Sequence, residues 1–346
     1  MKSFRHIAIF LGLAALLAGC VKAEIVDVPE RPVSFSVGSY APATRTSVSL
    51  DTYGINSFKS KGFLHAEGYE NITQDFFGAN GETISKSGND WVPSHPYYWP
   101  KSELSYVNFV SWYDRNGNPT TVDEDAMEWN GRTIVYNDDI MFADKAWHYN
   151  SGSVATLFHH ALAQVKFQAR LSEAVDGNTS WTVSISNFKV ENVHKTGSLS
   201  LRNSSDPNLS WATTPWTDAV TGSTPTWRTT EAVDTLSHNG QYTLTAANQV
   251  VMNTRTVLPQ TTFGLVLSFD YEINTSYNIE GNPITSVSEK AHATINMYSD
   301  FSIRKWDMNT RTTYTLVFNP KTSKIMFEPV LTEDWNTDLN NSIYIE

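Results

Sequence analysis

Cysteine is nearly absent. The 346-residue chain has one, Cys20, which excludes an intrachain disulfide and a cysteine-based metal site. Basic residues are outnumbered, with 25 Lys and Arg against 36 Asp and Glu and a net charge of −11. They form no cluster, whereas a nucleic-acid partner needs a basic face. Beyond the first twenty residues no apolar run approaches bilayer-spanning length. Catalytic signatures are also missing: there is no GxSxG, HExxH, P-loop or GxGxxG. No enzyme activity, catalytic residue, cofactor or metal ligand is expected. Long helical periods are absent too.

What is present begins with a leader. Lys2 and Arg5 precede an apolar run from Ile7 to Leu17, too short to cross a bilayer comfortably. It ends in Leu17-Ala18-Gly19-Cys20, the pattern of a lipoprotein signal in which Cys20 is acylated and becomes the new N-terminus. Acyl chains anchor by burying about 0.8 kcal/mol per CH₂. Residues 21–32 are a short polar tether. Val33-Ser34-Phe35-Ser36-Val37 then alternates like a strand, and Arg45-Thr46 follows outside any strong apolar pattern.

The rest reads as β. Aromatics make up 12% of the residues, and strand candidates alternate with period two. They are Tyr106–Trp112, Gln164–Leu171, Trp181–Val190, Gly264–Tyr271, Thr313–Phe318 and Lys324–Leu331. Asn80-Gly81, Asn116-Gly117, Asn130-Gly131, Asp176-Gly177 and Asn239-Gly240 are hairpin-type turn signals. Asp139–Ala143 could start one helical turn. Many short strands with turn-rich joints indicate antiparallel sandwiches. Length suggests two domains, with a joint near Trp147–Ser153. The stretch 203–230 is irregular and carries Trp211, Trp216 and Trp227. His159 and His160, as strand neighbours, point to opposite faces and do not share a metal. Asp114-Arg115-Asn116-Gly117-Asn118 reads as a turn, since the downstream Glu of a calcium loop is missing.

Several stretches together resemble the fimbrillin family, the type V pilins and Mfa-like fimbrillins of Gram-negative anaerobes. They are Tyr98-Trp99-Pro100 with Leu104–Phe109, Asp139–Ala143, Phe158–Phe167, Asn187–Val190 with Gly197–Leu199, Leu258-Pro259-Gln260, and Tyr314–Phe318 with Trp335. Six pieces occur in the family's order over nearly the whole mature chain. Two departures stand out: Asn108 is polar where the family is apolar, and Trp112-Tyr113 lacks a following Pro. The resemblance implies two transthyretin-like antiparallel β-sandwich domains, at 46–152 and 153–346. They would follow a signal peptide (1–19) and a tether with a removable first strand (20–45). It implies a lipoprotein of the outer membrane, displayed on surface fimbriae and supporting adhesion to a host or bacterial surface ligand. It further implies cleavage by an arginine-specific protease and polymerisation with other fimbrillin subunits by donor-strand exchange.

In physical terms, Val33, Phe35 and Val37 fall on one face and Ser34, Ser36 and Gly38 on the other. Such a strand closes an edge of the first sandwich, worth about 5–9 kcal/mol as an upper value. Arg45 is the expected cut site, giving Thr46 as the new terminus, because Arg31 is followed by Pro32. Ile343 and Ile345 on one face form a candidate donor strand. Ile325 and Phe327 alternate as well, and either pair could instead belong to its own sandwich. An alternative function is a surface glycan-binding lipoprotein, with the three Trp of 203–230 and Trp91, Tyr97 and Tyr98 as stacking platforms. Asp234-Thr235-Leu236 resembles a short O-glycosylation acceptor of the same anaerobes.

Overall fold

The computed structural model describes residues 30–39, 54–69, 71–135, 137–172, 179–203, 213–279, 282–319 and 324–335. Cys20, Arg45, Thr46, Ile343 and Ile345 lie outside them, as do Trp211 and Asp176-Gly177. In chain order the first strands are β1 (Ser34–Ser39), β2 (Ser57–His65), β3 (Thr73–Asp75), β4 (Glu82–Ser87), β5 (Asp90–Pro93), β6 (Tyr106–Asp114), β7 (Thr121–Val122), β8 (Ala126–Thr133) and β9 (Ile140–Ala143). Then come β10 (Lys145–Tyr149), β11 (Ser153–His160), β12 (Ala163–Leu171), β13 (Thr179–His194), β14 (Thr196–Asn203), β15 (Thr213–Thr214), β16 (Trp216–Asp218), β17 (Arg228–Thr229) and β18 (Val233–His238). The last are β19 (Tyr242–Thr243), β20 (Gln249–Val257), β21 (Gln260–Thr261), β22 (Val266–Ile279), β23 (Asn282–Asn296), β24 (Lys305–Trp306), β25 (Thr310–Asn319), β26 (Lys324–Phe327) and β27 (Leu331–Asp334). Among the described residues one short helix, α1 (Met297–Asp300), interrupts them, and the Asn296 side chain caps it by accepting from the N–H of Tyr298 and Ser299. The fold is all-β, as the alternating pattern requires.

The first sheet runs β15-β10-β6-β9-β11-β1-β5-β4-β2-β3, and β2 also pairs with β6. Seven of these strands therefore close into a ring. Inside it Val107, Phe109, Met141 and Ala143 meet Val33, Phe35, Phe58 and Phe158. The outer face is covered by a second sheet, β16-β14-β8-β7. There Val110, Trp112, Ile140 and Phe142 pack with Met127, Trp129, Leu199 and Trp216. Burial on two faces makes β6 and β9 almost continuously apolar. It also explains why Asp139–Ala143 contributes to β9 and not to a helical turn: all four residues of β9 are buried, alternately in the two cores.

The second sandwich faces β20-β12-β25-β26, with β27 also on β25, toward β18-β13-β22-β23. Its core holds Phe167, Phe188, Phe269, Trp306, Tyr314 and Phe318. The chain crosses from the first sheet to this sandwich at Ala161-Leu162, and back to the second sheet at Lys195. The turn cluster at 147–153 instead joins β10 to β11, both strands of the first sheet. The Asn187–Leu199 segment is split between two sheets as β13 and β14.

Among the described residues two strand pairs are parallel, β1 with β11 and β12 with β25, and the others are antiparallel. The Asn-Gly signals also do other work than expected. Gly131, with φ +62°, lies within β8, and the adjoining β8–β14 ladder shifts register, as at a bulge. Asn239-Gly240 separates β18 from β19, which both pair with β13. Asn116-Gly117 turns the chain from the first sheet to the second. A tight two-residue hairpin forms instead at Gly88-Asn89, between Ser87 and its partner Asp90, with Gly88 at φ +63°.

Candidate assembly groove

The first strand lies inside the ring, not at its rim. All six residues of β1 pair in parallel with Ser153–Phe158 of β11. On its other side Phe35 pairs with Trp91 of β5, Pro32 bridges to Tyr98, and the Val33 N–H donates to Tyr97 O at 2.9 Å. The expectation of an edge strand is thus corrected. A ring has no edge, so β1 separates two flanks, and its long seam is with β11.

Of the three apolar residues expected on one face, two are fully buried. Val33 and Phe35 are 2% and 3% exposed, while Ser36 is exposed. Val37 is half-buried and Gly38 is buried, so the apolar grip is concentrated on two residues. The Phe35 ring meets Phe109 edge-on at 5.5 Å, Phe58 at 5.8 Å and Phe77 at 6.4 Å. Burying Val33 and Phe35 contributes about 3–6 kcal/mol as an upper value, plus the aromatic geometry. A vacated seat would present Phe58, Phe77, Phe109 and Trp91 along a slot lined by unpaired β11 backbone. Such a slot is a template for another strand.

Asn108, the polar departure in β6, is fully buried and placed with purpose. Its side chain donates to Glu124 Oε1 and accepts from the His148 N–H at 2.7 Å. His65 Nε2 meets the same Glu124 oxygen at 2.9 Å, and the buried Lys145 ammonium lies 3.7 Å from it and 2.7 Å from Asp125 Oδ1. Burial pushes the Glu124 carboxyl up, but the hydrogen bonds from His65 and Asn108 and the Lys145 charge outweigh it and lower its pKa to about 2. The group ties β2, β6 and β10 to the turn between β7 and β8.

Other singled-out residues are structural. Asp114 accepts from Arg132 at 2.9 and 3.2 Å, and Arg132 also reaches Asp138 at 3.3 Å. A guanidinium thus occupies the surroundings of the calcium-like turn. His159 meets Asp144 and His160 meets Asp139, each at 2.8 Å. Among the described residues no group of three or more His, Cys, Asp or Glu is arranged to hold a metal. Trp216 and Trp227 are buried, and their indole N–H groups donate to Ala143 O at 2.7 Å and Ala161 O at 2.6 Å. Trp91 is buried as well, whereas Tyr98 is 42% exposed. Ile325 and Phe327 sit in β26, paired with Phe318 and Leu316 of β25. Thr235 lies exposed in β18, beside an Asp234 carboxylate bound to Lys195 at 2.8 Å.

A family model described as fimbrillin-like matches residues 54–335. The chain belongs to the fimbrillin-like family. No curated protein sequence matches this fimbrillin-like chain. In solved structures it is similar to a fimbrial protein from Bacteroides vulgatus, with 12% identity, 88% of this chain and 99% of that one covered, and a TM-score of 0.52. A candidate cell adhesion protein from Bacteroides uniformis aligns at 14% identity over 89% and 97% of the two chains, TM-score 0.45. The fimbrial anchor protein Mfa2 from Porphyromonas gingivalis aligns at 10% over 89% and 98%, TM-score 0.30. At these identities the likeness to the first concerns the fold. Among the described residues no helix is long and apolar enough to cross a membrane.

Proposed function

We propose that this fimbrillin-like chain is a fimbrial subunit activated by loss of its first strand. It is exported as a lipoprotein through Cys20 to the outer membrane and cut by an arginine-specific protease between Arg45 and Thr46. The vacated slot then takes a strand from another fimbrillin subunit. The Ile343/Ile345 pair serves as donor, since Ile325 and Phe327 are engaged in β26. The polymer supports adhesion at the cell surface, and the mature chain forms two β-sandwich bodies.

The observation that carries this reading is the position of β1. It is an interior strand, held on both flanks, with the Phe35 ring seated among those of Phe58, Phe77 and Phe109. A segment that only tethered the chain to a lipid would not need such a seat. The glycan-binding alternative loses support, because Trp91, Trp216 and Trp227 are spent on the cores.

Arg45→Ala is expected to leave export and lipidation intact and to block polymer formation. Surface protein from both strains is run unheated in SDS and probed for ladders. Ladders of normal length from the variant would sink the cleavage claim.

A further inference from the structure

Strand directions place the start of β1 at a particular end of the ring. β1 runs parallel to β11, β11 antiparallel to β9, and β9 antiparallel to β6. β1 and β6 therefore run the same way and begin at the same end. His65 pairs with Tyr106 at the start of β6, so the 66–72 loop is at that end too. The 98–105 loop leads into β6, and the 150–152 turn leads into β11. Short bonds tie these loops together. Ser105 Oγ accepts the Glu67 N–H at 2.9 Å, Ser102 Oγ donates to Glu67 Oε2 at 2.5 Å, and Asn150 Nδ2 donates to Glu103 O at 3.0 Å. The Pro32–Tyr98 bridge and the Val33–Tyr97 bond join β1 to the same surface.

This end is apolar beyond what a solvated loop surface needs. Tyr69 is 61% exposed, Ile72 54%, Tyr98 42% and Leu104 65%. They are four of the twelve large apolar side chains exposed among the described residues. The opposite end, with Gly88-Asn89 and the 115–120 loop, carries Val135 from that set. Clustered exposed apolar residues mark interaction surfaces, and aromatics concentrate at the centres of interfaces.

The slot relates the patch to its occupant. A strand that replaces β1 keeps the parallel ladder with β11 and the Tyr97 bond only if it runs in the direction of β1. Its preceding residues then leave the slot at the β1-start end. A donor strand at a C-terminus is preceded by its own subunit, so that subunit's body must stand at this end. We infer that the surface formed by Tyr69, Ile72, Tyr98 and Leu104 is the seat for the body of a second copy of this chain whose C-terminal strand fills the vacated β1 slot. This rests on the strand-replacement reading and adds the polarity and the docking surface.

The test compares the full chain with two variants, Tyr69→Glu/Leu104→Glu at the patch and Asn89→Glu at the opposite end. Each is treated with an arginine-specific protease and followed by sedimentation and SDS-resistant ladders. All three sites are exposed, so thermal midpoints should match the parent. The patch variant is expected to lose at least tenfold in polymer yield, with Asn89→Glu unchanged. Cross-linking from Leu104→Cys, but not from Asn89→Cys, should reach a neighbouring subunit. Parent-like ladders from the patch variant, or cross-links from position 89 in place of 104, overturn the docking surface and leave strand replacement standing. If the cleaved parent itself forms no polymer, strand replacement falls, and the seat falls with it.

Discussion

Phe35 and Glu124 show how much a single side chain can be asked to do here. Phe35 is the large ring of β1, and its neighbours Phe58, Phe77 and Phe109 have no other partner in that strand of comparable size. Phe35→Ala should cost about 3–5 kcal/mol, read as a shift in the urea unfolding midpoint of the uncleaved chain. Ser36→Ala, on the exposed face, should stay within about 0.5 kcal/mol. Glu124 predicts a pH dependence. Its folded pKa of about 2 lies below the ordinary 4.5, so its ionised form stabilises the fold above pH 4.5. That contribution is lost as pH falls from 4.5 toward 2. Glu124→Gln should therefore be less stable than the parent at pH 7 and lose less on acidification. A thermal-midpoint profile as steep as the parent's over that range would contradict the assignment.

At the scale of elements, β1 and β11 form the joint on which assembly would turn. Parallel pairing over six residues holds β1 on one side, while the β5 side has a single strand pair and the Pro32 and Val33 contacts. Loss of β1 should therefore be felt chiefly along β11. In hydrogen exchange, the amides of Ser153–Phe158 should lose protection in cleaved, unassembled chain and regain it on polymerisation. The β12–β25 ladder of the second sandwich should change little. Equal loss of protection in both would mean that β1 holds the whole chain together and is not a replaceable part.

For the whole molecule, two bodies have different duties. The ring covered by the second sheet holds β1 and with it the proposed slot, and the second sandwich packs around its own aromatic core. The chain weaves between them at Ala161-Leu162 and at Lys195. β14, β16 and β17 thereby return to cover the ring, so the outer core of the ring cannot form before residues far along the chain arrive. Trp216 and Trp227 seal that return through bonds to Ala143 and Ala161 carbonyls. Long-range closure of this kind makes folding slower than the short strands alone would suggest.

The sequence by itself determined the all-β class, the positions of β1, β6, β12, β13, β22, β25 and β26, and the alternation of Val33–Val37. Period-two alternation is a local property, set by which face of a pleat each side chain takes. The proposed lipoprotein signal and the proposed cut at Arg45 likewise rest on local sequence. Only the tertiary structure decided that β1 is interior and parallel to β11, because strand direction and neighbours leave no mark on alternation. It decided that Asp139–Ala143 feeds a strand buried on both faces, since four apolar residues in a row fit a helix turn or a central strand equally well. It decided the roles of the Asn-Gly pairs, which specify a backbone turn or bulge but not which sheet lies beyond it. Asn108 is the clearest case. In the sequence it is an exception to an apolar pattern, and its reason lies with Glu124 and His148, residues that reach it only through folding.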